Sequence, residues 1–119
     1  MDPIAKADRR VANIRTGTFE AWDNDRAPGQ SVLQVDDDAP FGVGFHIFKM
    51  EPGAVTTPHE HTSNEQFYVI EGDLIDHDGT EYGPGDLVCL KKGTIHNSTT
   101  RNGCLLVVHL GTEERSVTD

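Results

Sequence analysis

No apolar run in this 119-residue chain approaches the roughly 18–20 residues that a membrane-spanning helix needs. The first ten residues, Met1 to Arg10, are too polar for a secretory signal, so a cytoplasmic location is expected. Basic residues are scarce: 10 Lys and Arg stand against 20 Asp and Glu, a formal net charge of −10. Such a surface repels phosphate backbones and anionic headgroups, which argues against nucleic acid and membranes as partners. Cysteine is almost missing. Cys89 and Cys104 each sit in an apolar run and are read as buried thiols rather than as a disulfide or metal ligands. Repeats, linkers and low-complexity tracts are absent as well, so one core and one domain are expected.

Turn formers are what the chain has in quantity. Twelve Gly and six Pro beside 35% hydrophobic residues suit an all-β protein, because hairpin reversals need residues that fix φ or tolerate its positive values. The clearest strand is Gly42 to Met50, closed by the Glu51-Pro52-Gly53 turn. Others are expected at Ser31 to Val35, Gln66 to Glu71, Leu74 to His77, Asp86 to Lys91 and Cys104 to Leu110. Their regular spacing predicts a sandwich or barrel. Residues 1–18 read as an arm with a short helical turn near Ile4 to Val11, residues 19–112 as the barrel, and 113–119 as a tail. The Asp36-Asp37-Asp38 run reads as a solvated turn, since successive carboxylates in an extended segment point to alternating sides.

Chemistry concentrates between Gly53 and Gly72. His59 and His61 stand at i and i+2, and Glu65 follows four residues after the second histidine. On an extended strand such side chains leave one face about 6.6 Å apart, close enough for two imidazoles to converge on one ion. The Thr62-Ser63-Asn64 turn returns Glu65 to the same place, and His96, after the Lys92-Gly93 turn, supplies a fourth donor from a distant segment. Burying an acid beside two imidazoles without a shared cation would be costly. His46, set among Phe45, Ile47 and Phe48, suits either a packed core histidine or a substrate contact; His109 suits a cavity or a rim position; His77 abuts a turn and reads as solvated. Phe67 and Val69, in phase with Glu65, are expected to wall a pocket with His46 and His109.

The Gly53–Gly72 segment resembles the first cupin motif, G-x5-H-x-H-x3-E-x6-G, at every specified position. The second motif is matched at Gly85, Gly93 and His96, while Lys91 stands where Pro is usual and Thr100 where Asn is usual. Asp78-Gly79-Thr80-Glu81-Tyr82 with Gly85, and Gly103-Cys104, further resemble small single-domain cupins related to anti-sigma-factor cupin domains and acetylacetone-cleaving dioxygenases. The resemblance spans about residues 19–111. It implies a double-stranded β-helix, the cupin jelly-roll barrel, with one divalent ion at His59, His61, Glu65 and His96.

One cupin barrel hosts many chemistries, so the site must choose among them. Four protein ligands on six-coordinate Fe(II), Mn(II), Ni(II) or Co(II) leave two open positions, whereas on tetrahedral Zn(II) they fill the shell. The leading expectation is an Fe(II) dioxygenase of a small ketone, diketone or phenolic compound, with Glu65 as ligand or as catalytic group off the metal. A zinc-bound structural or sensing module and a Mn- or Ni-dependent isomerase or decarboxylase are the alternatives. A homodimer through the Phe19 to Val35 segment is expected, because pairing covers unpaired edge groups.

Overall fold

Alternation along three long strands decides which side of the chain becomes core. In β3 (Gly44–Met50), β5 (Glu65–Gly72) and β11 (Cys104–Leu110), the inward series includes His46, Met50, Phe67, Val69, Leu106, Val108 and Leu110, all buried. Phe45, Gln66, Tyr68 and His109 point the other way and are exposed. The computed structural model describes residues 1–22 and 27–117. Residues 23–26, within the segment expected at a dimer interface, and 118–119 of the expected tail lie outside the described residues.

Nine further short strands complete the architecture: β1 (Glu20–Ala21), β2 (Gln30–Leu33), β4 (His59–Glu60), β6 (Leu74–Asp76), β7 (Glu81–Tyr82), β8 (Leu87–Leu90), β9 (Ile95–His96), β10 (Ser98–Thr99) and β12 (Arg115–Ser116). The large sheet runs β1-β2-β3-β11-β5-β8, and two small sheets run β10-β6-β7 and β12-β4-β9. All pairings are antiparallel. No α-helix occurs among the described residues; the expected N-terminal helical turn is a single 3-10 turn at Lys6–Asp8. The architecture is the cupin jelly roll.

The core gathers Met50, Ala54, Phe67, Val69, Leu74, Cys104, Leu106, Val108 and Leu110, with Phe48, Tyr82, Val88 and Leu90 packed against it. Each large member contributes roughly 1.5–3 kcal/mol by leaving water. Between Leu105 and Leu106 the β11–β5 ladder slips by one residue: Leu105 faces Glu71 while Leu106 faces Val69. This bulge restores the inward phase of Val69 opposite Leu106. Just beyond it Gly72 (φ +85°) approaches Gly103 so closely that a Cβ would meet the Gly103 carbonyl oxygen.

Two sequence expectations change here. The segment after residue 112 is not simply a tail, because Arg115 and Ser116 pair with Glu60 and His59 to add a strand beside the histidines. Cys104 is buried as expected, but Cys89 is exposed, since strand alternation in β8 turns it outward between Val88 and Leu90.

Candidate metal centre

The small sheet β12-β4-β9 sets the histidines. His59 and His96 are direct cross-strand partners. His61, just past β4, is held by its backbone: its N–H donates to the Thr94 carbonyl (2.9 Å), and its own carbonyl accepts from the Gly93 N–H (2.8 Å). Three imidazoles therefore converge, with ring centroids 5.1 Å (His59–His61), 4.6 Å (His59–His96) and 4.8 Å (His61–His96) apart. One nitrogen from each lies within 4.8 Å of the others.

Hydrogen bonds to the opposite ring nitrogens fix the tautomers. His59 Nδ1–H donates to the Thr57 carbonyl (2.8 Å), and His96 Nδ1–H donates to the Asp76 carboxylate (3.0 Å). Thr94 gives its hydroxyl proton to the Lys91 carbonyl (2.8 Å), so its oxygen must accept from His61 Nδ1–H (3.0 Å). Every Nε2 is thus left with a bare lone pair. His61 Nε2 and His96 Nε2 are buried and have no hydrogen-bond partner among the described residues. Buried polar atoms without partners are costly unless something else binds them. Three oriented, unprotonated nitrogens are a donor set that fits a divalent transition-metal ion.

Electrostatics agree with this reading of the tautomers. Burial, followed by the neighbouring His96 and His59, pulls the His61 pKa down to about 4, so its ring is neutral at physiological pH. Asp76 is buried, which disfavours its charge, yet hydrogen bonds from His96, Ser98 (2.6 Å) and Tyr82 (2.7 Å) prevail and lower its pKa to about 2. Burial and the bond to Asp76 push the Tyr82 hydroxyl upward, leaving it a committed donor. Glu65 behaves differently: burial, then the charge and hydrogen bond of Glu114 and the charge of Asp76, raise its carboxyl well above the usual range.

Glu65 Oε1 stands 3.6 Å from His61 Nε2, so all four residues of the expected ligand set reach one region. Glu114 stands there too, its two oxygens 3.3 Å from His59 Nε2 and 3.8 Å from His61 Nε2. Sequence reasoning missed it, because it lies in the segment read as tail and no spacing rule ties it to the histidines. Asp76 and Thr94 were missed as well. Asp76 did leave a trace: an acid in phase with Leu74 on a strand whose inner face is buried.

The site opens onto a cavity of about 440 Å³, within the range of small-molecule pockets. His59, His96, Glu65 and Glu114 belong to its polar lining; Trp22, Phe41, Phe48, Phe67, Leu106 and Val108 form an apolar wall. Trp22 packs on Phe41 and edge-on to Phe48, with centroids at 5.8 and 6.4 Å. His46 also lines the cavity; it is buried, its Nδ1–H donates to the Gly44 carbonyl (3.2 Å), and burial lowers its pKa. Of the four expected wall residues, His46 and Phe67 line the cavity. Val69 is instead fully enclosed in the core, and His109 faces outward between the inward Val108 and Leu110.

Comparison with known proteins agrees on the fold. The family described as ChrR Cupin-like domain matches residues 15–114. No curated protein matches the chain. Among solved structures, the polyketide cyclase RemF from Streptomyces resistomycificus is 24% identical, with TM-score 0.73, covering 93% of this chain and 87% of that one. An acetylacetone dioxygenase from Acinetobacter johnsonii is 13% identical, with TM-score 0.66, over 100% of this chain and 86% of the other. The structure of Rhodobacter sphaeroides SigE with the anti-sigma ChrR matches at 14% identity and TM-score 0.64, covering 81% of this chain and 49% of that chain. At these identities the structures share the fold.

Proposed function

The chain belongs to the ChrR cupin-like domain family, and from that premise we propose that it is a metal-dependent enzyme acting on a small, largely apolar molecule with paired oxygen donors. A ketone, diketone or phenolic compound fits best, with non-haem Fe(II) dioxygenation as the reaction. The observation that carries this reading is the pair of partnerless, buried Nε2 lone pairs beside an aromatic-walled cavity. His59, His61 and His96 would hold the ion, with Glu65 as the fourth donor. The ion, when bound, would polarise a carbonyl or phenol oxygen and supply redox chemistry that no side chain offers.

The chain's own residues do the rest. Thr57, Thr94 and Asp76 hold the three rings in the tautomer that presents Nε2. Trp22, Phe41, Phe48 and Phe67 exclude water and suit an apolar substrate body. Glu65 lines the cavity and is the carboxyl nearest to His61; where it stays off the ion, its raised pKa suits it to hold a proton beside a substrate that binds there.

Metal analysis of protein supplied with several ions in competition, followed by oxygen uptake with a panel of such compounds, tests the proposal. Iron near one per chain with substrate-dependent uptake supports it. Bound iron with no uptake across the panel removes the dioxygenase reading and leaves isomerase or decarboxylase chemistry. A second reading, a closed zinc module that stabilises the barrel or senses a ligand, is favoured by the tight donor cluster; tightly held zinc without exchangeable water would select it.

A homodimer is part of the proposal. Leu33, Ile47, Val107, Tyr68 and Leu87 pair in register across five strands of the large sheet, forming an apolar row on its outer face. Tyr68 is 43% exposed and Leu87 78%. The N-terminal 18 residues carry Lys6, Arg9, Arg10 and Arg15 against Asp2 and Asp8; Arg10 pairs with Asp37 of its own chain (2.6 Å), and the remaining basic residues complement the strongly acidic barrel of a second copy. A monomeric mass by light scattering at micromolar concentration would overturn this part.

A further inference from the structure

Glu114 stands outside the H-x-H-x3-E…H pattern yet lies among its residues. Its oxygens are 3.3 Å from His59 Nε2 and 3.8 Å from His61 Nε2, and Glu65 is 3.6 Å from the latter. Charge-assisted N–H···O bonds are shorter, roughly 2.7–2.9 Å. The observed separations instead fall in the range of roughly 3.0–4.2 Å that two donors keep when each sits about 2.1 Å from one ion. His61 Nε2 is fully buried and makes no hydrogen bond among the described residues. Two carboxyl groups face each other beside it, Glu65 hydrogen-bonded to Glu114, and a cation taking the place of that shared proton would satisfy all three groups at once. His61, Glu65 and Glu114 do offer three donor atoms within 4.8 Å of one another.

The strand that follows Glu114 is held by a two-residue ladder, Arg115 with Glu60 and Ser116 with His59, and by the Val117 N–H on the Pro58 carbonyl. So short a ladder is marginal by itself. The Arg115–Glu60 ion pair, at 3.9 Å with Arg115 70% exposed, adds little.

We infer that Glu114 is a ligand of the ion held by the three histidines, and that the ion thereby clasps the C-terminal strand β12 to the barrel. This rests on the metal-binding reading proposed above. With Glu65 and Glu114 both bound, a six-coordinate ion keeps one open position, so a bidentate substrate must displace a carboxylate. Glu114 is the one whose release disturbs only a two-residue strand.

Co(II) is the probe, read by its visible spectrum, by chelator competition and by deuterium exchange of residues 111–117. Glu114→Ala should bind Co(II) about 10–100-fold more weakly and shift its visible bands, with circular dichroism unchanged. In the wild type, Co(II) should slow exchange of the C-terminal peptide at least about tenfold, and in Glu114→Ala it should not. Should the variant fail to fold, exchange in the wild type with and without Co(II) still reads the clasp. Wild-type affinity and spectrum in Glu114→Ala, or exchange indifferent to Co(II), overturns the inference; His96→Ala losing Co(II) in the same experiment shows that the metal site itself stands. A wild type that binds no Co(II) removes both readings.

Discussion

Replacing Asp76 with alanine should destabilise the metal-free protein by about 2–4 kcal/mol, even though the residue touches neither cavity nor ion. Its carboxylate is 6% exposed and accepts from His96 Nδ1, Ser98 Oγ and Tyr82 Oη. Its pKa of about 2, against an ordinary 3.8, is worth about 2 kcal/mol at 1.36 kcal/mol per unit. Alanine also leaves three donors without an acceptor in a buried site, at roughly 1–3 kcal/mol for each that water cannot reach. Because the folded pKa is depressed, this contribution is present above pH 3.8 and is lost as pH falls through about 2. Urea unfolding at pH 7 measures the difference, and repeats between pH 4 and pH 2 should show the gap to wild type closing. A loss below about 1 kcal/mol at pH 7, or a gap that widens on acidification, would refute the argument that this carboxylate holds β6, β7 and β9 together.

Further predictions concern orientation, packing and reactivity. Thr94→Val removes the acceptor that fixes the His61 tautomer and should weaken metal binding about 10-fold, read by chelator competition, with the unfolding midpoint little changed. Gly72→Ala places a Cβ against the Gly103 carbonyl at φ +85°; a loss of about 3 kcal/mol or more is expected by chemical denaturation, and a near-neutral result would mean that the β5–β6 turn relaxes freely. Cys89 is exposed, and the buried Cys104 thiol is pushed up to about 11 by burial and then the charge of Asp73. Iodoacetamide at pH 8 should therefore label one thiol per native chain and two after unfolding, as counted by mass spectrometry.

Legibility differed between the strands and the short segments that build the site. Cys104–Leu110 was readable to the residue because a long apolar strand between an Asn-Gly turn and a Gly announces both its ends. Two-residue strands such as β4, β9 and β12 carry no period of their own; their pairing is imposed by the elements around them. The same contrast separates His109 from His46. Both sit in long strands of apolar neighbours, and only the parity set by register with the core turns one outward and the other inward.

What the sequence by itself determined is the class of the fold and the set of donors that spacing brings together. The i, i+2 spacing of His59 and His61 puts two rings on one face of any extended segment, and a turn of fixed length returns Glu65 to them. These are short-range consequences of backbone geometry. Tertiary structure alone decided what stands behind and opposite those donors: Asp76 on His96, Thr94 on His61, and Glu114 arriving some fifty residues after Glu65. Contacts between residues so far apart depend on how the sheets close, and chain separation holds no record of them. Closure is also what strips water from the Nε2 atoms of His61 and His96. A set of donor residues becomes a site that favours an ion only once that water is gone.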